Sequence, residues 1–325
     1  MKPAYSVIFL TTLIGAGQGL FLALFTHQSY ALFGLLPMQS DAFYGYGSAL
    51  ALLLLIGGLI ASFFHLGRPE RAWRSATMWR TSWLSREVIV LPAFMGVVFL
   101  YGAIHVFGYR PAVVTLPNGL LIDVSIVLGV IGTLLAFALF ICTGMIYACL
   151  RFLREWHSPL TVINYILLGG SSGFILAAFY ASLVAPTQAD FFVGWAIIIT
   201  LLAFAGRVAS LLRNARLKPK STMQTAIGVK HPHIVQRSMG AMGGSFNTRE
   251  FFHGKSDAFL RKIKPAFLVL AFVVPLLMLL FSLQSVSALL LGGAFFVQYA
   301  GLLAERWFFF AQANHPQNLY YQTIG

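Results

Sequence analysis

The chain alternates long apolar runs with short polar segments, and eight of the runs are long enough to cross a bilayer. A membrane-spanning helix needs about 20 predominantly apolar residues. The runs predict helices over residues 4–25, 43–64, 88–107, 120–150, 160–184, 191–212, 265–283 and 286–310. We therefore predict an all-α integral membrane bundle, a single transmembrane domain over residues 1–325, whose even number of crossings places both termini on one side.

The composition agrees with this pattern, since 58% of the residues are hydrophobic, only 10% are charged and the mean hydropathy is +0.80. These values lie outside the range of soluble globular proteins. The formal net charge of +13 does not indicate nucleic-acid binding, because the basic residues fall between membrane runs. Acidic lipid or an acidic partner protein is the expected counterpart.

The basic residues also predict the orientation of the bundle. Of the 22 lysines and arginines, all except Arg110 fall on the side that carries the termini. Lysine and arginine concentrate in loops that stay in the cytoplasm. Both termini, and the polar segment between the second and third runs, are therefore predicted to face the cytoplasm.

That polar segment, residues 62–90, contains the densest mixture of proton-handling and anion-binding groups in the chain. It holds His65, Glu70 and Glu87 together with five arginines. Charge placed against the end of a membrane helix is costly unless it is used, because hydrocarbon cannot compensate an unpaired ion. The segment is therefore the leading candidate for a functional site.

Local signals predict the geometry of this segment. Gly67 and Pro69 favour the end of the second helix near His65, since glycine can take a left-handed conformation and proline cannot continue a helix. Arginines then recur every third residue from Arg68, which predicts a short interfacial helix with Trp73 at the depth of the lipid headgroups. A basic loop that only holds the protein at the headgroups is the alternative interpretation.

Two motifs in the segment resemble a known family. HLGRPERAW at residues 65–73 and LSREV at residues 84–88 are similar to the HLGxPxRA…LSxE pattern of the membrane anchor subunit of dimethyl sulfoxide reductase, a family that includes the membrane subunits of sulfite dehydrogenases. By this resemblance, His65 corresponds to the quinol-site histidine, Gly67 and Arg71 to its neighbours, and Glu87 to the acidic residue at the head of the third helix.

A second stretch near the end of the chain carries the same resemblance. AGLLAERWFFFA at residues 300–311 is similar to the family's AGELxGRxxFY pattern, with Arg306 on its arginine. Leu302 replaces the glutamate of that pattern, and Glu305 follows three residues later. The resemblance therefore does not assign a role to this carboxylate.

Quinone chemistry fits the groups in the segment. Reduction of a quinone adds two electrons and two protons, so a site needs a hydrogen-bond donor, a proton carrier and positive charge. We predict His65 as the donor, Glu87 as the proton carrier and Arg71 as the cation. The predicted quinone-binding residues, for menaquinone or ubiquinone, are His65, Gly67, Arg68, Arg71, Trp73 and Glu87.

The sequence offers no centre of its own that could store electrons. Cys142 and Cys149 are too few for an iron-sulfur cluster, which needs about four thiolates. Among the eight histidines, His27, His65, His105 and His157 are predicted at or beyond helix ends, so no pair is expected at mid-membrane to bind a haem. We expect no haem, cluster or metal in this chain.

Electrons must therefore pass to or from another polypeptide. The resemblance implies an iron-sulfur subunit and a molybdopterin catalytic subunit as partners, in a bacterial inner (cytoplasmic) membrane, with the terminal reaction, sulfite oxidation or dimethyl sulfoxide reduction, on the catalytic subunit. The basic loop at residues 213–264, which contains the aromatic motif SFNTREFFHG at residues 245–254, is predicted to be cytoplasmic and to dock the iron-sulfur partner. A disordered basic tether on anionic lipid is the alternative interpretation of this loop.

Two alternatives from other classes remain open on the sequence. Eight helices could form a transporter, but transporters place ionisable groups or broken helices near the midplane, whereas these charges cluster at one surface. A purely structural anchor without quinone chemistry would need none of the proton-handling groups.

Overall fold

The computed structural model describes residues 3–115, 117, 119–218, 221–235 and 254–320. Within these residues, eight helices are long and apolar enough to cross a membrane, which confirms the predicted all-α bundle. The helices are α1 Tyr5–Leu32, α2 Asp41–Phe63, α3 Trp83–Val106, α4 Val124–Ala148, α5 Pro159–Val184, α6 Ala189–Ala215, the short α7 Met223–Ile227, α8 Asp257–Ser282 and α9 Ala288–Ala311. The SFNTREFFHG motif lies outside the described residues except for Gly254.

Helix α3 begins earlier than the apolar run predicts, at Trp83 instead of residue 88. Ser82 caps the helix by accepting a hydrogen bond from the Ser85 backbone nitrogen at 3.3 Å. The Arg86 side chain folds back and donates to the carbonyl oxygens of Trp79 and Arg80 at 2.9 and 2.8 Å. The first turn of α3 can therefore hold a charged residue, because the Arg86 guanidinium binds the backbone that precedes the helix.

The fourth crossing is shorter than predicted, because its first residues form part of a small hairpin. Strand Ala112–Thr115 pairs antiparallel with strand Leu121–Asp123, a feature that the apolar pattern did not predict. Asp123 then caps α4 by accepting from the backbone nitrogens of Ser125 and Ile126 at 2.9 and 3.1 Å.

The connection from α2 to α3 contains the short helix that was predicted, in a tighter form. Helix α2 ends at Phe63, and a 3₁₀ helix follows over Pro69–Ala76. Side chains three residues apart lie above one another in a 3₁₀ helix, so Arg71 and Arg74 share one side. Gly67 does not adopt the left-handed conformation expected for it, because the helix has already ended four residues earlier.

Helices α1 and α5 form the centre of the bundle, where glycines bring their backbones together. A β-carbon on Gly173 would clash with the backbone of Gly19, and one on Gly19 would clash with the carbonyl of Gly169. Small residues allow membrane helices to approach closely and gain packing energy without a hydrophobic driving force. Helices α3, α4 and α9 pack around the contact between α1 and α5, and the five helices together enclose internal space.

The two ends of the bundle differ in their contacts. At the first end, Ile8 of α1 belongs to one apolar cluster with Trp156, Trp307 and Phe309, and the Trp156 indole donates to the Phe309 carbonyl at 2.8 Å. The beginning of α1 and the end of α9 therefore lie together, which agrees with termini on one side. We call this end the terminal end and the other the loop end.

The loop end holds a polar network that corrects the predicted position of His27. Helix α1 extends to Leu32, so His27 lies inside the helix and is buried. Its ring nitrogens are 2.9 Å from the Tyr44 hydroxyl and 3.0 Å from the Gln188 side-chain oxygen. His105 is 2.9 Å from Asp41, which also pairs with Arg110. These polar residues can lie inside otherwise apolar helices because they find hydrogen-bond partners on neighbouring segments.

Candidate functional site

Glu87 lies in the interior of the bundle near the terminal end. It is four residues beyond the start of α3, or about 6 Å along the helix. Its side chain faces α4, is only 8% exposed, and accepts a hydrogen bond from the Thr143 hydroxyl. Among the described residues it forms no ion pair. A buried carboxylate with a single hydroxyl partner is unusual, because burial of ionisable groups normally requires a counter-charge.

The Glu87 side chain opens onto an internal cavity between α1, α3, α4, α5 and α9. Its volume is ≈ 30 Å³, room for about two water molecules. Gly15 and Gly169 leave room in the wall, and most of its other residues carry polar side chains. These polar side chains are Thr11, Thr12, Gln18, Glu87, Thr143, Tyr165, Ser172 and Arg306.

On the α9 side of the cavity, three charged residues form a buried cluster. Glu305 has no exposed surface, and its oxygens lie within ion-pair distance of Arg207 from α6, at 2.6 Å, and of Arg306. Arg207 and Arg306 are 2% and 4% exposed. One carboxylate therefore pairs with two guanidinium groups, and the cluster keeps a net positive charge next to the cavity.

Aromatic rings surround both arginines. The Arg306 guanidinium lies 4.4 Å from the Tyr165 ring centroid and 4.7 Å from that of Phe309. Arg207 lies 5.5 Å from the Phe267 ring, on the other side of the cluster. Such contacts stabilise a desolvated cation through the electron-rich ring faces. Arg306 lines the main cavity and a smaller one beside it, whereas Arg207 lines only the smaller one.

The remaining predicted site residues lie on the surface of the terminal end. His65, Gly67, Arg68, Arg71 and Trp73 are exposed, and none of them lines the main cavity. Arg71 is 3.9 Å from its neighbour Glu70, and Trp73 is 66% exposed. The structure therefore brings Glu87 together with Thr143 and the Arg306 side of the cavity, and it does not join Glu87 to His65 in one pocket.

His65 is positioned by the end of α2, where its backbone nitrogen bonds the Ser62 carbonyl at 3.4 Å. Partial desolvation lowers the pKa of the His65 imidazole from its ordinary value. The neutral ring therefore predominates at neutral pH, with one nitrogen that donates and one that accepts. The arginines nearby give this surface a positive potential.

Sequence reasoning missed Thr143, Tyr165, Arg207 and the pairing of Glu305. Arg207 was counted with the surface charges, and Glu305 had no assigned role. One sequence signal was available, since all three charged residues of the cluster lie within the helical crossings α6 and α9. Charges inside membrane helices usually face the bundle interior and pair with one another.

The fold and the cavity together define a multi-pass membrane protein with a polar, partly charged pocket inside a helical bundle. Comparison with known families matches residues 1–321 to the DMSO reductase anchor subunit (DmsC). The chain belongs to this family, which confirms the resemblance seen in the HLGRPERAW and LSREV motifs. It is also 58% identical to a sulfite dehydrogenase subunit of Allochromatium vinosum over 325 residues, the full length of both proteins.

Proposed function

We propose that this chain passes electrons between the membrane quinone pool and the iron-sulfur subunit of a molybdopterin oxidoreductase that oxidises sulfite. Membership of the anchor-subunit family supports the role in an oxidoreductase complex, and similarity along the full length to a sulfite dehydrogenase subunit favours sulfite over a sulfoxide. The observation that carries the quinone assignment is Glu87, a buried carboxylate that faces an internal cavity and has no counter-charge among the residues that the structure describes.

The polar groups of the cavity suit a quinone headgroup, and its walls have to move apart to admit the ring, because its volume of ≈ 30 Å³ holds about two water molecules. Sites for small molecules combine apolar walls with a few placed polar groups. The wall of the present cavity carries both Glu87 and Arg306. A flat ring with two oxygens needs this combination of apolar wall and separated polar groups.

The side chains of the cavity divide the chemistry between them. Bound quinone supplies the acceptor for two electrons and two protons. Glu87 exchanges protons at its Oε1 and Oε2 atoms, and the Thr143 hydroxyl holds the carboxyl group in place. The low dielectric of the bundle interior strengthens the interaction of each polar group with the ring oxygens.

The surface residues of the terminal end serve the same pathway from outside the cavity. In this proposal His65 relays protons between water and the interior, because its neutral ring can both accept and donate. Arg68, Arg71 and Trp73, with the backbone at Gly67, form the surface against which the iron-sulfur partner lies. Positive potential on this surface attracts an acidic partner. Binding there brings an iron-sulfur cluster of the partner near the cavity.

A cavity-filling substitution tests the proposed function. Ser172→Leu adds bulk to the cavity wall, so sulfite-dependent reduction of decylubiquinone should fall at least about tenfold, the effect of about 1.4 kcal/mol. Sulfite-dependent reduction of ferricyanide, which takes electrons directly from the iron-sulfur subunit, should stay within about twofold. Both activities are measured on the purified complex of this chain with its two partner subunits.

Ser182→Leu is the matched control. Ser182 and Ser172 both lie on α5 and donate to the carbonyl three residues earlier, at 2.6 and 3.0 Å, but Ser182 is outside the cavity wall. Equal losses in the two variants, or no quinone reduction by the wild-type complex, would reject the quinone assignment. The second result would favour a purely structural anchor.

The proposal also places the terminal end in the cytoplasm of a bacterial inner membrane. In a variant without Cys142 and Cys149, single cysteines at Lys255 and Tyr109 report the two ends, because these residues lie on the α8 side of the terminal end and beside α3 at the loop end. A membrane-impermeant maleimide should label Tyr109→Cys in intact spheroplasts and Lys255→Cys only after lysis. The reverse pattern would invert the orientation.

A further inference from the structure

A pocket opens at the surface of the terminal end, apart from the cavity that Glu87 lines. Its volume is ≈ 410 Å³, within the range of about 300 to 1,000 Å³ that is typical of sites for small molecules. Segments that are far apart in the sequence form its wall, namely the connection from α4 to α5, the residues after α6 and the tail after α9. The proposed function uses none of these residues.

The wall of this pocket, which we call the basic pocket, is positively charged. Arg151, Arg154 and Lys218 contribute three permanent cations, whereas Glu155 is the one carboxylate among the described residues of the wall. The Ser221 hydroxyl also lies in the wall. A phosphate group, with its negative charge and several acceptor oxygens, matches this set of donors.

Contacts between the segments hold the wall of the basic pocket in shape. Nη1 of Arg154 donates to the Lys218 carbonyl, and Nη1 of Arg213 on α6 donates to the Arg154 carbonyl at 3.0 Å. The rings of Phe152 and His315 meet edge to face, with centroids 5.5 Å apart, which joins the connection after α4 to the tail after α9. Because the wall is positioned before a ligand arrives, binding costs less conformational entropy.

The basic pocket lies where the membrane-spanning helices end. Arg151 and Lys218 each follow the last residue of such a helix, α4 or α6, by three positions. Phe152 in the pocket wall is 52% exposed, and Leu212, six residues before Lys218 on the membrane side, is 57% exposed. Basic residues next to apolar surface at the end of a membrane helix are typical of sites for anionic lipid.

We propose that the basic pocket binds the phosphate headgroup of an anionic phospholipid from the leaflet at the terminal end. Arg151 and Lys218 contact the phosphate oxygens, and the acyl chains lie along the exposed apolar surface of α6. A soluble phosphate compound uses the same cations but none of this apolar surface. The bound lipid ties the tail after α9 to the ends of α4 and α6, because all three segments line the pocket.

A double substitution tests this site. Arg151→Gln, Lys218→Gln removes two cations from the basic pocket, and both side chains are exposed, so the fold should tolerate the change. The probe is radiolabelled dioleoylphosphatidylglycerol, added to the purified, lipid-depleted complex in dodecyl maltoside with about 0.3 M sodium chloride, which screens charges outside the pocket. The dissociation constant should rise about 10- to 50-fold, as expected from the loss of two cations beside an anionic lipid.

Arg216→Gln, Lys230→Gln is the matched control. It removes the same two residue types, both exposed at the terminal end, but neither residue lines the basic pocket. It should change the dissociation constant less than about threefold, because screened surface charges contribute little. Dioleoylphosphatidylcholine, which has no net charge, should bind the wild-type complex at least about tenfold more weakly. Glycerol 3-phosphate at the concentration of the labelled lipid should not displace it.

Several results would overturn this proposal. Equal affinity of the wild-type complex for the two lipids, or equal weakening by the two double variants, would reduce the pocket to general basic surface. Displacement of the labelled lipid by glycerol 3-phosphate would assign the pocket to a soluble phosphate compound. Release of the iron-sulfur subunit by Arg151→Gln, Lys218→Gln, with lipid binding unchanged, would assign the pocket to that partner.

Discussion

Glu87→Gln is expected to lower sulfite-dependent quinone reduction by about 10² to 10⁴-fold, the usual effect of removing a proton carrier from an active site. Glutamine keeps the size of the side chain and can still accept the hydrogen bond from Thr143, so the packing between α3 and α4 is retained. The loss of quinone reduction then measures the contribution of proton transfer by Glu87. It should be measured on the assembled complex beside ferricyanide reduction, which bypasses this chain and should remain within about twofold of wild type.

Glu70→Gln is the control for this prediction, because it removes a carboxylate from the nearby connection between α2 and α3, where the side chain is 65% exposed. It should leave quinone reduction within about twofold, since exposed charges contribute little when their neighbours are solvated. Full quinone reduction in Glu87→Gln would show that protons reach the site by another route. His65→Ala would then identify that route, if it alone abolished quinone reduction.

The architecture was largely predictable because each crossing is a continuous apolar run. The boundaries failed where polar residues of the helix find partners that the local sequence cannot reveal. Thr26, His27, Gln28 and Ser29 interrupt the first run, yet α1 continues to Leu32. Gln28 alone binds Ser125 from α4 and Tyr101 from α3 at 2.7 and 2.6 Å. Long-range hydrogen bonds of this kind override local hydropathy.

The candidate site was predictable in part. Glu87 was selected because charge beside a membrane helix is unusual, and the structure places it in the cavity wall. The partners of Glu87 could not be predicted from residue spacing, since Thr143 is 56 positions away and α9 lies at the other end of the sequence. The expectation that His65 and Glu87 share one pocket assumed that α3 begins near Glu87. The earlier start at Trp83 instead draws Glu87 into the bundle.

The terminal end thus contains two buried carboxylates in opposite electrostatic environments. Within the described part of the chain, Glu87 has one hydroxyl partner and no cation, whereas Glu305 lies between two arginines. A carboxylate that can gain and lose a proton suits exchange with a substrate. A carboxylate held by two permanent cations remains ionised and suits the fixing of structure. In the proposed function, the same residue type therefore serves proton exchange in the cavity wall and the fixing of structure in the cluster beside it.

Loss of the Glu305 charge should have the largest effect on the bundle itself. Glu305→Gln leaves Arg207 and Arg306 buried without a counter-ion, and breaking a buried ion pair by removing one partner destabilises a protein by about 3 to 5 kcal/mol. The expected result is a sharp loss of assembled complex from membranes, measured by immunoblot of this chain and by ferricyanide reduction, with a lower thermal midpoint for whatever complex remains.

Removal of one arginine together with Glu305 should restore much of the assembled complex that is lost when Glu305 alone is replaced. The double variant Glu305→Leu, Arg207→Met leaves a single buried cation in place of two, and apolar side chains of similar volume often replace a buried ion pair at little expense. It should accumulate several-fold more complex than Glu305→Leu alone. Arg151→Met is the control, because this arginine is exposed at the same end and its loss should not rescue Glu305→Leu. Normal assembly of Glu305→Gln, or equal rescue by Arg151→Met, would show that the cluster does not depend on Glu305 for its stability.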